Sequence, residues 1–231
     1  RRVNVHLYPS YFTNESRILR IVKPLFERGV FNHFLLIGIH RKDLPDREVI
    51  GAGIVLQRVR PAFGNRITGY PGRLVKAIGW YVAVFRLLRD ERPQCVNSHS
   101  LAVLPLGYAV ARARRARLVY DTHELETETL SSRGLRRQLS RMIERLLIHR
   151  CDAVSVVNQS IAGWYLKRYR LHRVDVVRNM PILSASDTTP TGKLRAAAGI
   201  PEGDCRVYLY QGLLAAGRGL ELLLEAFREL G

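Results

Sequence analysis

Apolar segments of strand length alternate along this chain with amphipathic segments of helix length, and the connections between them are short. Val3–Tyr8, Phe34–Ile39, Ile54–Leu56, Cys95–Ser98, Arg117–Tyr120, Ala153–Val157 and Val174–Val177 read as strands. Glu15–Arg28, Arg73–Arg92, Leu101–Arg114, Leu135–Arg150 and Ser160–Tyr169 read as helices. The run Phe34–Ile39 is apolar throughout, as in a parallel strand covered on both faces. Parallel strands need crossover helices, so the pattern predicts an α/β fold with a doubly wound parallel sheet. Ligands of such sheets sit beyond the carboxyl ends of the strands. The loops after Tyr8, Ser98, Tyr120 and Val157 are therefore where chemistry is expected.

The pattern changes after Val177. A polar stretch bearing Pro and Gly, Ser184–Gly192, reads as a linker. Lys193–Ala198 is a candidate short helix, Val207–Gly212 a strand running into a glycine, and Gly219–Leu230 an amphipathic helix. One strand and one helix make no core, so this segment reads as the start of a second α/β domain. The expected organisation is a first domain over 1–182, a linker and entry segment over 183–205, and the opening of a second domain over 206–231.

Charge and cysteines narrow the partners. Lys and Arg outnumber Asp and Glu 37 to 20, a formal charge of +17, which favours an anionic partner: nucleic acid, anionic lipid or a phosphorylated substrate. Cys95, Cys151 and Cys205 are scattered, with no metal-ligand spacing, as suits a reducing cytosol. The chain opens directly on a strand, with no signal-peptide pattern, and the apolar stretch Leu74–Leu88 is interrupted by Lys76 and Arg86, too charged to span a bilayer.

The strand Leu118–Tyr120 runs into Asp121-Thr122-His123-Glu124, followed by Glu126 and Glu128. A metal needs a third ligand, and nothing nearby in sequence supplies one. The acids also suit the positive end of a helix. His99, after the strand Cys95–Ser98, is placed to hydrogen-bond a hydroxyl or act as a base. His6, inside the first strand, reads as a satisfied core residue. At the first helix, Ser16 and Arg17 could hold an acceptor or a phosphate; alternatively Thr13 or Asn14 caps the helix and Arg17 is solvated.

The segments Asn97-Ser98-His99-Ser100, Leu104-Pro105-Leu106-Gly107, Tyr120-Asp121-Thr122-His123-Glu124, Val177-Arg178-Asn179-Met180-Pro181 and Tyr210-Gln211-Gly212 with Gly217-Arg218-Gly219-Leu220-Glu221 occur in an order that resembles the group 1, family 4 glycosyltransferases of the two-domain B fold. The resemblance covers nearly the whole chain. It implies Rossmann-like domains, a nucleotide-sugar donor, a glycan or lipid-linked acceptor, retaining transfer and no metal or other cofactor. It places Ser16, Arg17, His99, His123 and Glu124 on the acceptor side, in binding and orientation. It places Gly212, Gly217, Arg218 and Gly219 at the donor phosphates, where glycine backbone and a helix N-terminus suit an oxyanion. The family's carboxylate pair, a Glu-x7-Glu motif, would lie beyond Gly231, so the catalytic residues themselves are unassigned. Two positions depart from the family pattern: Leu213 stands where a basic residue is common, and the first loop, Pro9–Arg17, has no glycine.

The helix Arg133–Arg150 pairs an apolar stripe, Leu135, Leu139, Met142, Ile143, Leu146 and Leu147, with Arg133, Arg136, Arg137, Arg141 and Arg145. The stripe is expected to pack on the sheet and leave the arginines free for lipid phosphates, so a cytoplasmic protein peripheral to the membrane is expected. Two other readings stand beside the transferase: another sugar-nucleotide enzyme on this fold, epimerase-like, and a non-catalytic basic module binding anionic membrane or nucleic acid. No nucleic-acid-reading motif is present.

Overall fold

A computed structural model describes residues 1–64, 69–129, 134–180, 192–201, 206–212, 214–215 and 217–230. The chain divides into two compact units, Arg1–Met180 and Pro181–Gly231.

The first unit is an eight-stranded α/β sheet of the expected doubly wound, Rossmann-like type. Its strands are β1 (Val3–Leu7), β2 (His33–Ile39), β3 (Arg47–Gly51), β4 (Ile54–Val59), β5 (Pro93–Ser98), β6 (Arg117–Asp121), β7 (Ala153–Val156) and β8 (Asp175–Val176), in the order β3-β4-β2-β1-β5-β6-β7-β8. All neighbours are parallel except β3 and β4. Five helices connect them: α1 (Ser16–Glu27), α2 (Gly69–Leu87), α3 (Leu104–Arg114), α4 (Gly134–Ile148) and α5 (Gln159–Tyr169). Strand β3 escaped the sequence reading. Its Arg47 and Glu48 are exposed on an edge strand, so it lacks the apolar run of its neighbours.

Side chains alternate across the sheet and build two cores. Phe34 and Leu36 of β2, with Ile54 and Leu56 of β4, pack under Ile18 and Val22 of α1. Leu35 and Ile37 point the other way and join Val84 of α2, and Leu88 just after it, in the larger core. The alternation of β1 looks in sequence like a half-solvated strand, yet all five residues are buried. Asn4 lies inside because a neighbour satisfies it: Asn97 Nδ2 donates to Asn4 Oδ1 at 2.5 Å. His6 is engaged through one ring nitrogen only.

Helix α4 is anchored through a buried carboxyl group. Glu144 is fully buried and accepts from the hydroxyls of Tyr120 (2.8 Å), Tyr165 (2.8 Å) and Tyr169 (2.5 Å). Ile148 is buried beside it, and Ile143 and Leu147 pack partly against the core. The rest of the apolar stripe does not pack on the sheet as expected. Leu135, Leu139, Met142 and Leu146 are 81%, 51%, 53% and 63% exposed, because the apolar positions span a wider arc of the helix than one sheet contact covers.

In the second unit, α6 (Lys193–Ala197) and α7 (Leu220–Leu230) form, but Val207–Gly212 makes no strand. A strand exists by its ladder, and among the described residues this segment has no partner strand. Tyr208 packs its ring on Phe227 at 5.0 Å instead. Residues 181–191, most of the expected linker, lie outside the described residues.

Candidate functional site

The parallel register aligns the ends of β1, β5, β6 and β7: Leu7 faces Ser98, Ser98 faces Tyr120, and Asp121 faces Ser155. The next residue after β5, His99, therefore arrives beside Asp121. Its ring Nδ1 lies 2.9 Å from Asp121 Oδ2. From the opposite side Arg17, in the first turn of α1, donates from Nη2 to Asp121 Oδ1 at 2.7 Å and from Nε to Oδ2 at 3.3 Å. Ser155 Oγ donates to Oδ1 at 2.7 Å. A third Arg17 bond, Nη1 to the Val177 carbonyl at 3.2 Å, ties α1 to the chain after β8.

Burial alone would push the Asp121 carboxyl up. The groups around it, His123, His99 and Arg17, reverse this and hold it far below the usual carboxylate range. Asp121 is thus a fixed anion. His99 and His6 are pushed down, mainly by burial, and stay neutral near pH 7; for His6 the charge of His99 adds to the effect, whereas for His99 Asp121 opposes it. These states set the tautomers. His99 donates from Nδ1 to Asp121, leaving Nε2 to accept. His6 Nδ1, 2.8 Å away, donates to it. His6 Nε2 is then a buried lone pair without a partner.

His123 follows β6 at the same strand edge. Its Nε2 is 3.3 Å from Asp121 Oδ2 but lacks the alignment of a hydrogen bond, so the attraction is electrostatic. The imidazole lies 5.6 Å from the Tyr8 ring and 6.1 Å from that of His99, and remains part-exposed. Glu124 is exposed, and its carbonyl accepts from Thr122 Oγ1 at 2.7 Å.

The structure thus brings Arg17, His99 and His123 together on Asp121. It leaves Ser16 exposed at the start of α1 and Glu124 exposed after β6. Arg17 is not the solvated residue of the alternative reading: it is 7% exposed. Neither Thr13 nor Asn14 caps α1; Glu15 occupies that position without a side-chain cap and accepts from Ser10 Oγ at 2.6 Å. His99 is 1% exposed with both ring nitrogens engaged by protein, so in this structure it offers no free atom to a hydroxyl. His6, Ser155 and the central role of Asp121 were missed. The only sequence signal for them was their position on strands whose register was unknown.

The donor-phosphate candidates belong to the second unit. Gly217 and Gly219 have φ of 82° and 73°, backbone that glycine adopts without strain. Arg218 between them is exposed, and Gly219 O accepts from Leu223 N to begin α7. A Cβ on Gly212 would meet the Tyr210 hydroxyl at 3.0 Å.

The family model for Glycosyltransferase Family 4 matches residues 15–180, most of the chain and all of the strand-edge cluster. The chain belongs to that family. Solved structures share the fold. Sucrose-phosphate synthase from Thermosynechococcus elongatus superposes with a TM-score of 0.75 at 14% identity, over 99% of this chain and 60% of the synthase. A glycosyltransferase from Rickettsia africae gives 0.65 at 12% identity, over 100% of this chain and 57% of the other. Anabaena HepE, solved with UDP and glucose, gives 0.52 at 15% identity, over 86% and 50%. The chain therefore spans well under two thirds of these proteins. No curated protein sequence matches it.

In this family 4 chain, His99, Asp121 and His123 each bring one ligand-type atom within 4.8 Å of the others. The expectation that nothing supplies a third ligand looked only at nearby sequence; His99 arrives from 22 residues away. Its Nδ1 proton and the Arg17 guanidinium already occupy Asp121, and a cation would have to displace one and sit beside the other.

The arginines of α4 need correction as well. Arg137 and Arg141 both bond Glu128, the latter at 2.7 Å and 3.0 Å, so they are not free for lipid. Arg133 lies outside the described residues. Arg136 and Arg145 are exposed. Arg145 shares a surface groove with His149, Arg168 and Arg170, residues the sequence reading did not associate with it. Among the described residues no helix is long and apolar enough to cross a membrane.

Proposed function

We propose that this chain forms the acceptor side of a glycosyltransferase that moves a sugar from a nucleotide-sugar donor to a glycan or lipid-linked acceptor at a membrane surface. The observation that carries this is the cluster on Asp121. A permanently ionised carboxylate, clamped by Arg17 and Ser155, holds two histidines at the strand edge where ligands of such sheets bind. His123 is the member that meets substrate: the residue is part-exposed, and with its Nε2 buried against Asp121 it is the rest of the ring that faces a sugar. Asp121 fixes its charge environment, while His99 and His6 are positioning residues behind it. Ser16 and Glu124, both exposed, are the further acceptor contacts.

The nucleotide-sugar donor is supported by the family and by HepE, whose structure holds UDP and glucose. Gly212, Gly217, Arg218 and Gly219 are the proposed diphosphate contacts, with the start of α7 supplying backbone N–H groups. Retaining, metal-independent transfer follows from the family resemblance; the departing diphosphate would be stabilised by Arg218 and backbone donors. Membrane association is supported by the exposed leucines of α4 beside Arg145, Arg168 and Arg170.

The test is release of nucleoside diphosphate from a panel of UDP-, GDP- and ADP-sugars by this chain joined to a complete donor-binding domain, with and without acceptor extracts. Acceptor-dependent release is expected, lowered about a hundredfold in kcat/KM by His123→Ala and raised in donor KM by Arg218→Ala. Turnover without acceptor would shift the reading to an epimerase-like enzyme. No turnover with any donor would overturn it.

A further inference from the structure

Two openings on the helix side of the sheet share a wall. The first, about 320 Å³, is a groove in which Tyr81, Val82 and Phe85 of α2 face Pro105, Leu106 and Ala109 of α3, with Arg86 at its margin. The second, about 400 Å³, also uses Tyr81 and Pro105, then turns polar with Glu126, Thr129, Arg136 and Ser140. The Tyr81 hydroxyl bonds the Ala102 carbonyl, which pins the ring where the two meet.

The polar opening draws on the same two segments, after β5 and after β6, that carry His99 and His123 of the cluster. Its wall includes Leu101, two residues beyond His99, and Glu126, three beyond His123. The groove runs between α2 and α3. Exposed apolar residues border it on α2, Ile78 and Phe85, and recur on α4, Leu139, Met142 and Leu146.

We infer that the groove and the pocket together form one site for an amphiphilic acceptor, with a hydrocarbon chain between α2 and α3 and its phosphate at Arg136. This rests on the transferase reading and decides its acceptor class: lipid-linked, not a free glycan. A sugar or nucleotide in the groove would lay its hydroxyls against Val82, Phe85 and Leu106 without partners, a costly desolvation. A hydrocarbon lacks that penalty and gains with each methylene removed from water. Arg136 supplies the complementary charge for a phosphate. Burial pushes the Glu126 carboxyl up to about 7, so near neutrality a large fraction is protonated and donates a hydrogen bond instead of repelling the anion. Both volumes fall in the usual range of ligand sites.

The test is calorimetric titration with decyl phosphate, butyl phosphate and inorganic phosphate, all kept below micelle formation. Decyl phosphate is expected to bind more than tenfold tighter than butyl phosphate. Ala109→Trp, which fills the groove from an exposed helix position, should reduce decyl to butyl affinity; Val82→Glu, which puts a charge on its wall, should do the same. Arg136→Ala should weaken both alkyl phosphates about tenfold. Val49→Glu, on the edge strand β3, should leave all three unchanged. Equal binding of decyl and butyl phosphate, insensitivity to both groove variants, or an equal loss in Val49→Glu would overturn the site. The titration needs no sugar nucleotide, so its failure leaves the transferase reading standing. Donor turnover can likewise fail while decyl phosphate binds.

Discussion

Arg17 and Asp121, 104 residues apart in sequence, meet through two hydrogen bonds, the shorter 2.7 Å, with both side chains under 10% exposed. A buried pair of this kind is dangerous to halve. Asp121→Leu strands a guanidinium and is expected to cost about 3–5 kcal/mol. The double variant Arg17→Met/Asp121→Leu should recover part of that loss. Urea unfolding of the two singles and the double gives the coupling; strict additivity would show that the pair contributes nothing jointly.

Acid should weaken the fold through the buried histidines. His6 and His99 have pKa values depressed mainly by burial, so below about pH 6.5 the unfolded chain binds protons that the native one refuses. Stability therefore falls as pH drops through 6.5. Part-exposed His33, also lowered mainly by burial, acts in the same direction. Glu126 acts oppositely: its carboxyl is raised to about 7, so its contribution is present at low pH and lost as pH rises from about 4.5 to 7. His6→Phe should remove about one proton from the slope between pH 6.5 and 5, or about 1.4 kcal/mol per pH unit. Glu126→Gln should steepen the slope. Denaturation midpoints measured across this range, converted to free energies, check both.

Three tyrosine hydroxyls depend on Glu144. Glu144→Leu leaves Tyr120 and Tyr169 without this acceptor, at about 1–3 kcal/mol each, while Tyr165 keeps Thr122 Oγ1 at 3.4 Å. We expect a net loss of about 3–5 kcal/mol, read as a lower urea midpoint at unchanged slope. A change under 1 kcal/mol would mean that water replaces the carboxylate.

The exposed leucines of α4 predict a surface phenotype without a stability phenotype. Leu139→Glu with Leu146→Glu should reduce sedimentation with phosphatidylglycerol vesicles at least tenfold and leave unfolding within about 0.5 kcal/mol of the parent. Binding should weaken at high salt, since Arg145, Arg168 and Arg170 share the attraction. Undiminished sedimentation of the double variant would sink the membrane role of α4.

The sheet was legible because periodicity announces itself locally: the run Phe34–Ile39 is a covered strand on inspection. Strand β3 was not, since an edge strand with Arg47 and Glu48 outward resembles a loop. Val207–Gly212 had strand composition but, among the described residues, no partner strand. The site was half legible. His99 and His123 stood out as histidines after strands, and Arg17 as a charge at a helix start. That all three close on Asp121, with His6 behind, depends on register across about 100 residues, which no local pattern encodes. Arg137 and Arg141 of α4 were misjudged for the same reason: Glu128, their partner, is recruited by tertiary folding.

The two sides of strand β1 live under different rules. Val3, Val5 and Leu7 sit among hydrocarbon, where a neighbour of similar volume can replace them with little loss. Asn4 and His6 sit in a bonded seam with Asn97 and His99, where each donor has one assigned acceptor. Saturation mutagenesis along five consecutive residues should thus draw a comb: open to apolar residues of like volume at odd positions, nearly closed at even ones. Drift in this protein would then exchange hydrocarbons on one face of its first strand while the other stays frozen.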